Sequence, residues 1–146
     1  MRILGEAFSD AEKSAALAEA RACLGIEWRH MGRVGLPWGH NVGLDCIGLV
    51  MRAVVAAGRP VRDLDAYGRD PDGTLIGHLD AHLGSRVSAY GPCSVLLIEF
   101  NKQPRHVALL SEANTLIHCY DGGPRCVVEH VFDAAWRKRV VAGWAL

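Results

Sequence analysis

Asp45-Cys46-Ile47-Gly48-Leu49-Val50 opens an apolar segment in which Ile47, Leu49, Val50, Ala53, Val54 and Ala57 recur at three- and four-residue intervals. That spacing predicts a helix with one buried stripe. Asp45 suits the N-cap, and Gly58 with Pro60 marks the stop. Cys46 is thereby placed in the first turn, where unpaired backbone N–H groups and the positive end of the macrodipole favour an anion. A thiolate is stabilised there, and thiolate is the nucleophilic form of cysteine. Cys23, near the end of an earlier helix, is read instead as an inert core residue.

Two histidines follow on a predicted hairpin, with strands over Arg105 to Ser111 and Thr115 to Tyr120 and a turn at Glu112-Ala113-Asn114. A three-residue loop pairs Ser111 with Thr115. Counting back along both strands, Ala108 then faces His118 and His106 faces Tyr120, so both imidazoles stand on one side as diagonal neighbours. A two-residue loop would put them on opposite faces. In the first register His106 can take the thiol proton and His118 can hold its ring.

The remaining pattern is helices first, strands afterwards. Ser9 with Glu12 forms a capping-box signature for a helix ending near Leu24, with Gly25 beyond it. Gly58 to Gly73 is rich in Arg, Asp, Pro and Gly and reads as a surface excursion. Thr74 to Leu83 reads as a short helix stopped by Gly84. Strands are expected at Ser94 to Phe100, on the hairpin, at about 125–131 and at about 138–145, with one helical turn over Asp133 to Trp136. This is an α+β order. The 146 residues, half of them apolar, suffice for one core, and no repeat or linker divides them, so a single domain over 1–146 is expected.

Composition excludes several classes. Sixteen basic and sixteen acidic residues cancel, and no basic stripe is interleaved with aromatics, so no nucleic-acid partner is expected. The longest apolar stretch, Ile47 to Ala57, is interrupted by Arg52 and is too short to span a bilayer, so no membrane insertion is expected. The segment from Met1 to Glu6 has no signal-peptide core, and synthesis in the cytoplasm is expected. The five cysteines at 23, 46, 93, 119 and 126 contain no CxxC pair and suit a reducing compartment. His78 and His82, four apart, lack a completing ligand and read as a solvated helix face, and no metal or cofactor is expected.

Several ordered motifs resemble the NlpC-type papain-like peptidases, whose members cleave peptide stems of bacterial cell wall. They are the Ala20 to Trp28 segment, the Asp-Cys-x-Gly-Leu-Val box, the His-Val-Ala-Leu-Leu strand from His106 and the Leu-Ile-His strand ending at His118. The resemblance runs from about Ala20 to Trp144. Within the family, the long loop Gly32 to His40 ahead of the cysteine looks most like the cell-wall peptidases of phage tails and gene transfer agents.

The resemblance implies a papain-like fold with N-terminal helices packed on an antiparallel sheet of about five strands. It implies Cys46 as nucleophile, His106 as general base and then acid, and His118 as the orienting third member. Trp28, where the family often has Tyr, falls near the oxyanion with Asp45, and Ile47 replaces the family's usual Ser. Arg29 and His30 are read as substrate contacts; for Arg29 with Arg33 a clamp on a stem carboxylate and a solvated surface both stay open, as do a cleft position and an exposed loop for His40. The implied substrate is the wall stem, commonly its D-γ-glutamyl to diaminopimelate bond, and the implied partners are phage-like tail or baseplate proteins. Two other readings stay open: a structural tail-hub protein with little or no activity, and a thiol amidase or acyltransferase of the same fold.

Overall fold

The structure is a computed structural model and describes residues 6–39, 41–64 and 66–146. In chain order the elements are α1 (Asp10–Ala22), α2 (Cys46–Ala56), α3 (Leu75–Leu83), β1 (Ser94–Phe100), β2 (Gln103–Leu110), β3 (Thr115–Cys119), β4 (Val127–Val131), α4 (Ala134–Arg137) and β5 (Val140–Ala145). The strands form one antiparallel sheet of five in the order β4-β3-β2-β1-β5. The α+β class and the five-stranded sheet are as expected.

Both long helices start as their sequences dictate. At α1 the Ser9 hydroxyl accepts from Glu12 N–H at 3.2 Å while the Glu12 carboxylate accepts from Ser9 N–H at 3.1 Å, the reciprocal box. The helix ends at Ala22, and Gly25 turns the chain at φ +88°, in the left-handed region that glycine enters without penalty. At α2 the Asp45 carboxylate accepts from Gly48 N–H at 2.8 Å.

α2 packs against α1 and against β2 and β3. It buries Leu49, Val50, Ala53 and Val54 with the sheet face made by Val95, Leu97, Val107, Leu109, Ile117 and Trp144. The opposite face carries a smaller cluster of Leu96, Ile98, Ala108, Leu110, Leu116 and Phe132, with Phe100 and Trp136 packed against it. β1 is therefore apolar on both sides, which is why Ser94 to Phe100 reads as a continuous run rather than an alternation. Each fully buried Leu, Ile or Val contributes about 1.5–3 kcal/mol.

The hairpin takes the three-residue register. Leu109 pairs with Ile117 and Leu110 with Leu116, and Ser111 N–H donates to Thr115 O at 2.8 Å. Asn114 closes the turn at φ +57°, which Asn tolerates. The β2–β3 ladder ends at Leu109, and the strands part beyond it.

The detour between Trp28 and Cys46 is closed at its base. Arg29 N–H donates to Leu44 O at 2.9 Å, Leu44 N–H to Glu27 O at 3.0 Å, and Val34 N–H to Gly43 O at 3.1 Å. Its inner part presses on α2: a Cβ added at Gly48 would lie 2.3 Å from the Gly32 carbonyl oxygen.

Candidate active site

The first turn of α2 meets the sheet where β2 and β3 diverge. Alternation along β2 makes Val107 the next residue after Leu109 to present its N–H toward β3, and that N–H is directed at the Cys46 sulfur. On the other side of the gap, Cys119 Sγ–H donates to Leu44 O at 3.2 Å. The missing ladder thus makes room for the cysteine.

His106 and His118 are both buried, and His106 Nε2 lies 2.7 Å from His118 Nδ1. The diagonal contact expected from the three-residue loop is made. Beyond it, His118 Nε2 lies 2.7 Å from His130 Nε2, and His130 Nδ1 lies 3.1 Å from Val131 O. Aromatic rings enclose this row. Tyr120 stacks on His118 at 4.9 Å and 11°, Phe100 stacks on Tyr120 at 5.7 Å, and Trp136 stands edge-on to His118 at 5.1 Å. The single turn of α4, capped by Asp133, is what lays Trp136 there.

Electrostatics correct one expectation. Burial, reinforced by the adjacent Asp45 carboxylate, pushes the Cys46 thiol from an ordinary 9.0 up to about 12. The Val107 and Ile47 N–H groups and Arg33 pull the other way and are outweighed. The helix dipole supplies only about 0.3–2 kcal/mol, at most ~1.5 pKa units. The capping residue that marks the helix start also brings a negative charge to the thiol. Burial likewise drives His106 well below 6.5, with His118 and Arg105 adding to it, and takes His118 down to about 3, with His130 adding to it. Both directions favour a neutral Cys46 thiol and a neutral His106 imidazole.

Asp45 is bound from four sides. Its carboxylate accepts from Gly48 N–H at 2.8 Å, Met31 N–H at 2.9 Å, Arg33 Nη1 at 2.9 Å, and the Tyr67 hydroxyl. Arg33 also donates to Asp63 at 2.9 Å, to Gly32 O at 2.8 Å and to the Tyr67 hydroxyl at 2.8 Å. At 5% exposure it is an internal tie, neither a substrate clamp nor a solvated surface cation. Arg29 is exposed and stands outside the cleft lining, against the expectation of a substrate contact. The cations on the cleft are Arg69 and Arg105.

The cleft has a volume of about 290 Å³, and Trp28, His30, Asp45, Cys46 and His106 all line it. The excursion after α2 is more than surface: Leu64 and Tyr67 pack on the core and, with Arg69, form a wall of the cleft. It is fastened by His30 Nε2–H donating to Tyr67 O at 2.9 Å, by Arg69 paired with Asp121 at 3.6 Å, and by the Arg69 guanidinium 5.0 Å from the Trp28 ring centre. His78 is exposed, as a solvated face requires, and opens onto the same cleft. His40 and the stretch before Glu6 lie outside the described residues. Among the described residues no three His, Cys, Asp or Glu side chains are grouped to hold a metal ion.

Sequence reasoning passed over Tyr67 and His130. Tyr67 carries no local signal. His130 carries one: His106, His118 and His130 are spaced by 12 and 12 residues, and the register that pairs Leu116 with His130 puts it on the face of Leu116 and His118.

No protein-family model and no curated protein sequence matches the chain. Solved structures do. The P60 domain of an antigen from M. avium paratuberculosis is 16% identical with a TM-score of 0.59, over 92% of this chain and 93% of that one. RipD of Mycobacterium tuberculosis, a non-catalytic NlpC/p60 domain protein adapted to peptidoglycan binding, is 16% identical with a TM-score of 0.57, over 92% and 96%. The peptidoglycan hydrolase RipB of the same organism is 15% identical with a TM-score of 0.57, over 92% of this chain and 64% of that one. The fold is the one shared by NlpC/P60 domains.

Proposed function

We propose that this protein is a cysteine peptidase acting on the stem peptide of peptidoglycan. The observation that carries the reading is the 2.7 Å contact between His106 Nε2 and His118 Nδ1, in a cleft that Cys46 also lines. Base and orienter are in contact, and the proposed nucleophile opens on the same cleft, in the order the fold's enzymes use.

In this reading the Cys46 sulfur attacks the substrate carbonyl carbon as His106 takes the thiol proton. The first-turn N–H of Cys46 helps hold the oxyanion. His106 passes its proton to the leaving amine, and a thioester remains. Water, activated by the same imidazole, hydrolyses it and restores the thiol. Because both groups rest neutral, the proton moves with the attack rather than before it. The D-γ-glutamyl to diaminopimelate bond is the proposed target. Arg69 and Arg105 on the cleft suit the carboxylates of such a peptide. We also infer work within a phage-like tail after synthesis in the cytoplasm; the Gly32 to His40 loop supports that placement.

A second reading, a wall-binding protein without activity, is favoured by the thiol held up to about 12. One experiment decides between them. Purified protein and its Cys46→Ala variant are incubated with peptidoglycan, and released fragments are analysed by mass spectrometry. Stem cleavage by the wild type alone establishes the peptidase and identifies the bond. Sedimentation with the wall and no cleavage by either establishes the binder.

A further inference from the structure

We propose that His130 is a positioning residue that orders the hydrogens along the row of three imidazoles and so leaves Nδ1 of His106 bare. The inference deepens the peptidase reading and rests on it for its catalytic consequence, but the hydrogen order itself can be observed without turnover.

The argument starts at the end of the row. A backbone carbonyl oxygen has no hydrogen to give, so the 3.1 Å contact between His130 Nδ1 and Val131 O requires the hydrogen on Nδ1. With a single ring hydrogen, placed there, His130 has a bare Nε2. His118 Nε2, 2.7 Å away, must carry a hydrogen and donate it. That leaves His118 Nδ1 bare, and His106 Nε2, 2.7 Å from it, must donate in turn. Of the three bare ring nitrogens, Nδ1 of His106 is the one that accepts from no other ring of the row. A bare nitrogen on that ring is what a general base for the Cys46 thiol needs.

With one hydrogen on each ring, the opposite order fails at one place only, since a bare Nδ1 on His130 would set its lone pair against the lone pairs of Val131 O. Without His130, His118 can hold its hydrogen on either nitrogen. His106 is then free to adopt the form with Nδ1 blocked. Burial keeps His106 and His118 neutral, so their tautomers rather than their charges are what the row has to settle. His130 is further held by Trp136, whose ring lies 4.8 Å from it at 38°. The contribution is indirect: His130 acts on His106 through His118.

The test compares the wild type with His130→Phe, which keeps a ring against Trp136 but offers no acceptor, and with His130→Gln, whose amide oxygen can accept from His118. Long-range ¹H–¹⁵N spectra of histidine-labelled protein at neutral pH report which nitrogen of each ring bears the hydrogen, and the amide spectrum reports whether each variant is folded. The expected result is His106 as the Nε2–H tautomer in wild type and His130→Gln, and a mixture in His130→Phe. In steady-state cleavage, kcat of His130→Phe is expected to fall about 10- to 100-fold with KM unchanged, and His130→Gln to recover most of it. A folded His130→Phe that keeps His106 wholly in the Nε2–H form overturns the proposal. Absence of cleavage in the wild type overturns the peptidase reading alone, because the spectra do not depend on it.

Discussion

Arg33 and Asp45 meet at 2.9 Å with 6% of each side chain exposed, so the residue that caps α2 is held by a buried guanidinium from the loop before it. Taking one partner from such a pair leaves an uncompensated charge in the interior, at a cost of about 3–5 kcal/mol. Arg33→Met is expected to lose that much in urea unfolding. Arg33→Lys, which keeps the charge but not the fork that reaches Asp45, Asp63 and Tyr67 together, is expected to fall between the two. Equal stability of all three proteins would show the tie to be dispensable.

Cys46 is expected to alkylate as a poor nucleophile at neutral pH. With the thiol pushed up to about 12, the thiolate fraction rises about tenfold per pH unit across the range 7 to 10. Iodoacetamide labelling of Cys46, followed by peptide mass spectrometry, is expected to climb with that slope and to show no plateau near pH 7. A plateau there would mean a preformed thiolate–imidazolium pair.

Gly48→Ala is expected to destabilise by roughly 2 kcal/mol or more, because the added methyl would overlap the Gly32 carbonyl oxygen, a backbone atom that cannot swing aside. The urea midpoint measures it. An unchanged midpoint would mean that the loop shifts freely from α2.

Acid is expected to weaken the fold through the buried imidazoles. His118 is held near 3 against an ordinary 6.5, so between those values the unfolded chain takes a proton that the folded chain refuses. Stability from this group is complete above about 6.5 and falls as pH drops toward 3, by about 1.4 kcal/mol for each pH unit. His106, pushed the same way, adds to the slope. Unfolding free energies of wild type and His118→Asn at pH 4, 5 and 6 are expected to converge as pH falls. Parallel profiles would contradict the assignment.

What was legible in the sequence was local. Ser9 with Glu12, Asp45 before an apolar stripe, and Glu112-Ala113-Asn114 between two β runs each carry their reason within a few residues, and each forms as read. The histidine pair followed from one loop length and a period of two. What escaped depends on distant chain. Arg33 looks like a surface cation until Asp63 and Tyr67, 30 and 34 residues away, close over it. The thiol's acidity was read from the helix end alone, while its burial comes from the sheet and the wall formed after α2. His130 needed the register of β4, which no turn motif fixes.

The stitches at Glu27, Arg29, Val34, Gly43 and Leu44 separate two things a loop usually confounds, its length and the place where it delivers the chain. The backbone bonds at the base fix the point at which the chain leaves the loop and delivers Asp45 and Cys46 to α2. The contour between Val34 and Gly43 is not idle either: Leu36 is buried in the core, Asn41 Oδ1 accepts from Arg33 N–H at 2.9 Å and Trp38 Nε1–H donates to Asp63 at 2.7 Å, so a change at the tip is felt at the guanidinium that holds Asp45.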